Sequence, residues 1–246
     1  VVAEFADGRR ETADVVIGAD GIDSRLRAKL LDDGPPRYTG LTIWRANVTL
    51  PEDAMPAVPF HAYWGPAGKF VWFRSGPSLL SWEGVVAAPP GESDPPGESK
   101  RAAAERFAGW PDSVGEIIDA TDPRAVIRSD VLDRPPTKRW GDGRLTLLGD
   151  AAHPMTFAVG QGAAQALEDA IVLARCLADE GLSESALRTY EQERMERSAH
   201  FQNLAWRIAR IGRWHSPVGG AVRSTFLRTT APIARRTQEK DMSVSV

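Results

Sequence analysis

The sequence holds one cysteine, Cys176, in 246 residues, which excludes an intrachain disulfide and any multi-thiolate metal site. Cys176 falls in an apolar run with helical spacing, where a buried, inert thiol is expected, and such cysteine usage fits a reducing compartment, the cytoplasm. No apolar stretch approaches the roughly 20 residues that a membrane-spanning helix requires. His61, His153, His200 and His215 stand at no metal-ligand spacing and no G-x-S-x-G elbow exists, so no metal is expected and a hydrolase is weakly supported. Charge of one sign is lacking too: 30 basic and 33 acidic side chains leave a net charge of -3, with no global basic field for nucleic acid. Two more absences matter. The chain opens on Val1-Val2-Ala3 without Met, and nowhere does it contain the G-x-G-x-x-G that holds a dinucleotide pyrophosphate. It is expected to be the later part of a longer protein.

What is present is enough apolar material, 42% of residues, for a sizeable core. Residues 1–36 read as the end of an α/β unit, with a strand at Val1 to Phe5, a second at Val15 to Ile17 and a short helix from Ser24 to Leu31. From Tyr38 to Ala88 aromatic and β-branched runs between Gly and Pro turns predict an antiparallel sheet. Pro89 to Ser99, rich in Pro, Gly and acid, predicts a surface loop. Short helices around 102–108 and 114–120 and a strand over 124–132 lead back to the apolar strand Arg144 to Leu148. Helices are expected at 163–178 and 184–213, with a break at Gly219-Gly220 and a last helix beyond. The resulting partition is 1–36, 37–136, 137–180 and 181–246. The basic cluster Arg207, Arg210, Arg213, Arg223, Arg228, Arg235 and Arg236 reads as a solvated helix face, with a membrane-surface or partner-binding face as the alternative.

Two strand-ending junctions carry the chemistry. In the first, Val15-Val16-Ile17-Gly18-Ala19-Asp20-Gly21 runs into Asp23-Ser24, either of which can cap the following helix. A carboxylate at such a strand end can accept ribose hydroxyls, and a well-capped turn explains the segment equally well. The second, Leu145-Thr146-Leu147-Leu148-Gly149-Asp150-Ala151-Ala152-His153-Pro154, is followed by Gly160-Gln161-Gly162-Ala163-Ala164 and a strong helix containing Glu168 and Asp169. Small residues let the backbone approach a ligand, and free amides at a helix start suit an anionic group. His153 has no partner at nucleophile spacing, so positioning of its loop is the expected role.

These segments, with Asp20, Gly21, Ser24 and Arg27 in a D-G-x-x-S-x-x-R pattern, Tyr38-Thr39-Gly40 through Trp44-Arg45, Asp133-Arg134-Pro135-Pro136 before Trp140 and the G-D-A-A-H-P block, resemble the single-component flavoprotein monooxygenases, the class of para-hydroxybenzoate hydroxylase, salicylate hydroxylase and zeaxanthin epoxidase. The resemblance implies an α/β fold, with a Rossmann-like FAD-binding portion interleaved with an antiparallel-sheet substrate domain and followed by C-terminal helices. It implies FAD as cofactor and NAD(P)H as co-substrate, with Asp150 on the ribityl chain and Gly160, Gln161, Gly162, Ala163 and Ala164 facing the pyrimidine side of the flavin ring. Gly149 and Pro154 are counted among the cofactor-binding residues, and Asp20, Gly21 and Arg27 would lie near the pyrophosphate and ribose. The implied reaction uses molecular oxygen, through a C4a-hydroperoxyflavin, to hydroxylate or epoxidise a small aromatic or alkene substrate; a homodimer is compatible with it.

No catalytic side chain is singled out, since most of this chemistry belongs to the cofactor. Trp44, Tyr63, Trp72, Phe73 and Trp82 suit a water-excluding lid, although an ordinary aromatic core explains any one of them. Arg45 is expected to pair with an anionic substrate or in a surface salt bridge, and Phe157, with Ala158, departs from the family's P-M-T-P-N-x-G-Q-G-A-N run and could reshape the substrate pocket, as Ala164 departs at the usual Asn. A reductase or halogenase-type relative, or an inactive fragment unable to hold FAD, are the alternatives.

Overall fold

The computed structural model describes residues 1–65 and 68–213. The expected break at Gly219-Gly220, the last helix and Arg223, Arg228, Arg235 and Arg236 lie outside them. In chain order the elements are β1 (Val2–Glu4), β2 (Arg10–Thr12), β3 (Val16–Gly18), α1 (Arg25–Leu31), β4 (Arg37–Thr49), β5 (Phe60–Gly65), β6 (Gly68–Arg74), β7 (Leu79–Ala87), α2 (Ser99–Arg106), α3 (Asp112–Ala120), β8 (Ile127–Asp133), β9 (Gly141–Asp142), β10 (Leu145–Leu147), α4 (Gly162–Glu180) and α5 (Glu184–Gly212). The short strands β2 and β9 have no signature of their own in the sequence, because three polar residues or a Gly-Asp pair become strands only through their partners. Two units result among the described residues: 1–37 with 132–209, and 38–131 with 210–213.

In the first unit β3 pairs in parallel with β10, Val16 opposite Leu145 and Gly18 opposite Leu147, and β9 pairs antiparallel on the other side of β10. Parallel pairing of strands so remote in sequence requires a long crossover. Gly18 is obligatory at the end of β3, since a Cβ there would lie 2.7 Å from the Leu147 side chain. The core joins Leu147, Ala151 and Ala152 to Val172, Leu173 and Cys176 of α4 and to Ala186, Leu187 and Tyr190 of α5. Cys176 is buried in it, as its apolar setting predicts. Helix α5 up to residue 209 clusters with this unit, because its buried stripe, Leu187, Tyr190, Arg194, Phe201 and Ala205, faces the same core.

In the second unit the sheet runs β5-β6-β7-β4-β8, and the first four strands pair antiparallel. Alternation sends Trp44, Ala46 and Val48 of β4, Phe70 and Trp72 of β6 and Leu80, Trp82 and Val86 of β7 into one core with Phe107, Val114, Ile117 and Ile118 of the α2–α3 region. Phe70 stacks on Trp82 with centroids 5.4 Å apart, and Trp82 Nε1 donates to Thr121 Oγ1 at 2.9 Å. The aromatic set read as a lid is therefore mostly the interior of this unit. Trp72 is 4% exposed and stacked against His61, which removes it as a substrate contact; Tyr63 packs on the same side and its hydroxyl meets Ser113 Oγ of α3 at 3.0 Å. The Pro-rich loop after β7 is pinned: Arg128 of β8 donates to Asp94 and Glu92, Trp44 Nε1 donates to Asp94 at 2.8 Å, and the Gly91 amide donates to Asp130.

Two glycines separate packing from backbone freedom. At Gly84 an added Cβ would lie 2.4 Å from the Phe107 ring, whereas at Gly115, inside α3, it would meet nothing within 4 Å. Gly84→Ala is expected to lower stability by about 1–3 kcal/mol through overpacking, and Gly115→Ala to raise it by about 0.5–1 kcal/mol through lost unfolded-state freedom. Urea unfolding midpoints with unchanged slopes check both.

Candidate functional site

Strand β10 delivers the chain to a tight turn. The Leu148 amide donates to Gly18 O at 2.9 Å, Gly149 takes φ 60°, and the amides of Ala152 and His153 both return to Gly149 O. Gly149 is needed at this left-handed position, and its own amide donates to Asp169 Oδ2 at 3.0 Å. Asp169, on α4 and fully buried, also accepts from Arg194 Nε of α5 at 2.8 Å and lies 2.5 Å from His153 Nε2. Burial alone would raise its pKa, but the contacts from His153, Arg194 and Gly149 outweigh that and hold the carboxyl below its ordinary 3.8. A carboxylate only accepts, so His153 Nε2 carries the proton. Arg194 is shared further with Glu168 at 2.6 Å and with the side chain and backbone oxygens of Gln165.

This buried network supports an exposed rim. Asp150, one residue beyond Gly149, is exposed. Desolvation by the surrounding loop pushes its carboxyl above the usual range, with His153 opposing, and no hydrogen bond from the described residues offsets it. Beyond the 3-10 turn Phe157–Val159, Gly160 takes φ 66° and α4 begins with Gln161 as an N-cap that forms no side-chain bond. The first-turn amides of Gly162, Ala163 and Ala164 thus lack a side-chain cap at the positive end of a 19-residue helix. A Cβ at Gly160 would meet nothing within 4 Å, and one at Gly162 would only reach Met155 at 3.9 Å, so space beside these amides is open.

The first junction plays a different part. Ser24 caps α1 by accepting from the Arg27 amide at 2.9 Å, and Asp20 accepts from the Arg25 amide at 2.9 Å. Burial raises and these bonds lower the Asp20 pKa, the bonds winning. Gly21, at φ 79°, makes the turn, with open space where a Cβ would stand. Arg27 is 1% exposed: it donates to Ala151 O and Ala152 O at 3.0 and 2.6 Å and pairs with Asp33, which also holds Arg134. Arg27 thus ties α1 to the G-D-A-A-H-P loop. Gly149 and Pro154 are tied in as well. Both are buried, the Gly149 amide is used by Asp169, and Pro154 O accepts from Gln202 Nε2 and the Arg134 amide.

Asp150, Gly160 and Ala163 are exposed and Phe157, Gln161, Gly162 and Ala164 half-buried, all in the first unit, and the turn that carries Asp150 meets α4 where a Cβ at Gly149 would lie 3.3 Å from Ala166. Arg45, Tyr63 and Trp72 belong to the second unit. Asp169, Arg194, Arg134 and Gln202 were missed. A Glu168-Asp169 pair inside an otherwise apolar helix was a visible anomaly, whereas Arg194 is one of many charges on α5 and carries no signal.

A sequence profile of the family described as FAD binding domain matches residues 2–205. The chain belongs to this family. Among FAD-binding relatives it is 40% identical over 224 residues to the aurachin C monooxygenase/isomerase of Stigmatella aurantiaca, covering 91% of this chain and 58% of that protein. It is also 40% identical over 214 residues to the 6-hydroxynicotinate 3-monooxygenase of Pseudomonas fluorescens, covering 83% and 55%. The crystal structure of Klebsiella pneumoniae HpxO complexed with FAD and uric acid superposes with a TM-score of 0.87 at 28% identity, over 98% of this chain and 63% of that one. The chain spans little more than half the length of the curated FAD-binding relatives quoted. No helix among the described residues is long and apolar enough to cross a membrane.

Asp169→Asn is expected to cost about 3 kcal/mol, because it removes the buried negative charge that meets Arg194 Nε and leaves that guanidinium only Glu168 and Gln165. Asp169 has a lowered folded-state pKa, so its stabilisation is complete above its ordinary 3.8 and is lost as pH falls through the lower folded value. Urea unfolding across acidic pH should show that loss in the parent and a flatter limb in Asp169→Asn.

Proposed function

We propose that this chain forms part of an FAD-dependent monooxygenase that consumes NAD(P)H and molecular oxygen to hydroxylate or epoxidise a small aromatic or otherwise electron-rich molecule. The reading is supported by two features of the same unit: an exposed carboxylate without a hydrogen-bond partner among the described residues, Asp150, and, about a dozen residues later, the uncapped first-turn amides of α4. One end accepts hydroxyl protons and the other donates to an anionic oxygen or nitrogen, which suits opposite ends of the ribityl-flavin part of FAD.

On this reading Asp150 accepts from the ribityl hydroxyls, and the amides of Gly162 to Ala164 donate to the pyrimidine edge of the ring, stabilising negative charge there. Gly160 and Gly162 leave room for the ring to approach the backbone, and Phe157 borders it. Asp20 and Gly21 lie toward the nucleotide part. The cofactor supplies hydride acceptance and oxygen activation when bound. The residues of this chain bind it, orient it and limit water beside it. The two 40%-identical relatives carry the word monooxygenase in their names, and one of them is named for a hydroxylated nitrogen heterocycle, which supports a small ring as substrate here.

Asp150→Ala is expected to lower the FAD retained on purification at least about tenfold, the loss of a charge-assisted hydrogen bond. Asp23→Ala, with Ser24 already filling the cap, should leave retention unchanged. Flavin absorbance per protein measures both, and equal retention in the two variants would refute the assignment. In the enzyme carrying this chain, NAD(P)H oxidation with an oxygenated product under O2 supports the monooxygenase; NAD(P)H oxidation without oxygen insertion points to the reductase-type relative.

A further inference from the structure

On the face of the second unit's sheet opposite its aromatic core, two opposite charges stand directly across from each other without being joined. Strand register sets Arg45 of β4 across from Glu83 of β7, Glu83 across from Val71 of β6, and Ile43 across from Val85. Directly opposed residues share a face, and their Cβ atoms lie about 4.5–5.5 Å apart, a spacing at which a carboxylate and a guanidinium ordinarily meet. Yet among the described residues no hydrogen bond or ion pair engages the side chain of Arg45 or of Glu83; Glu83 feels Lys69 and Arg45 through space alone. Arg45 is exposed and Glu83 half-buried. The floor around them is dry: Val71, Val85 and Ile43 are 8%, 2% and 3% exposed. Ser81, the next residue of β7 on this face, donates to Asn47 Oδ1 at 2.7 Å, so the polar groups beyond the pair are matched to each other.

Burial raises the Glu83 carboxyl above its ordinary range, and Lys69 and Arg45 oppose the rise without cancelling it. These two cations, from β6 and β4, are the charged groups that face it; the β5 residue across from Val71 is Ala62, which brings no charge. A carboxylate so placed takes a proton more readily than one in water, while the guanidinium opposite stays charged at every working pH. Leaving the two unjoined costs stability, and carboxyls perturbed in this way concentrate where ligands react. A proton acceptor and a permanent cation above one apolar floor match a planar ring bearing an acidic O–H. The proton has a place to go, and the oxygen it leaves has a positive partner.

We propose that Glu83 is the proton acceptor, and Arg45 the anion partner, for a substrate that carries an acidic aromatic hydroxyl. On binding, the ring O–H bond breaks and its hydrogen passes as a proton to a Glu83 carboxylate oxygen. The electron pair stays on the ring oxygen, which accepts from the Arg45 guanidinium. One negative charge moves from Glu83 to the ligand, and no proton enters or leaves solvent. The ring carbons lie on Val71 and Val85, and Lys69 contributes its charge alone. The anion is more electron-rich than the neutral ring and so easier to oxidise. This deepens the monooxygenase reading, on which it rests for calling the bound ring a substrate.

The test titrates the FAD-loaded enzyme carrying this chain, in neutral buffer, with 3-nitrophenol, which is mostly un-ionised there and whose phenolate absorbs in the visible. The control ligand is 3-nitroanisole, which has no proton to give. Difference spectra against the ligand-free enzyme should show bound phenolate, and calorimetry in two buffers of different ionisation heat should show almost no proton released as it binds. 3-Nitroanisole should bind at least about tenfold more weakly, the worth of one charge-assisted hydrogen bond. In Glu83→Gln phenolate should still form, beside cations that have lost their counter-charge, but now with about one proton released to the buffer per ligand. Glu83→Ala should give the same proton count if the amide variant folds poorly. Arg45→Met should lose the phenolate band and weaken 3-nitrophenol about tenfold or more. Absence of binding, neutral phenol bound by the parent, equal proton release from the parent and Glu83→Gln, or an unaffected Arg45→Met would overturn the assignment. Flavin absorbance of each sample separates the two readings. Bound phenolate with a retained proton in a preparation that holds no flavin supports the pair and refutes the cofactor assignment, and bound flavin without that pattern overturns the pair alone.

Discussion

One buried carboxylate organises the first unit. Asp169 is the point where the turn after β10, helix α4 and helix α5 meet, through the Gly149 amide, its own backbone and Arg194. A charge without exposed surface survives only if donors surround it, and here the donors come from elements separated by 20 and 25 residues. The arrangement makes the position of Gly149, and with it the direction in which Asp150 points, a consequence of helix packing rather than of loop flexibility. Precision at the rim is thus achieved by residues that never reach it.

Arg27 and Arg134 extend the same principle to the other junction. Arg27 spans from α1 to two carbonyls of the loop, Arg134 reaches back to Ile22 O and Gly34 O, and Asp33 sits between the two guanidinium groups. Both ends of the long excursion through the second unit are therefore held to the G-D-A-A-H-P loop or its immediate support. The second unit divides its labour differently, by sheet face: one face spends its aromatic residues on packing against α2 and α3, and the other keeps charge above a thin apolar floor.

The sequence disclosed the elements whose pattern is local. The apolar runs of β3 and β10, the alternation through β4 to β7, the Ser24 cap and the helix after Gly162 all declare themselves within a few residues, and the Gly residues of the G-D-A-A-H-P and G-Q-G-A-A blocks marked the two turns that precede α4. What stayed hidden depends on long-range geometry. Counting aromatics could not tell which face of the sheet each would join; an ordinary core explained any one of them, and the parity of their strands sends Trp72 and Trp82 inward. Arg27 entered as a cofactor contact through the family resemblance; only the fold reveals its bonds to Ala151 O, Ala152 O and Asp33. Strands β2 and β9 exist because neighbours impose them.

The parallel pairing of β3 with β10 has a bearing on how the molecule is made. A ribosome releases the chain from its N-terminal end, so Val16 to Gly18 must remain without this partner until Leu145 to Leu147 have emerged, by which time all five strands of the larger sheet, which belong to the second unit except for the last residues of β8, lie behind them in the chain. The ion pair between Arg37 and Asp133, at 2.6 Å, then joins the two necks of the excursion at a stage when little else in the first unit can hold them together. Biogenesis of the cofactor half is accordingly tied to the prior success of the half that departs from it, and a lesion in the sheet would surface as nascent chains whose first strand waits exposed to chaperones and aggregation.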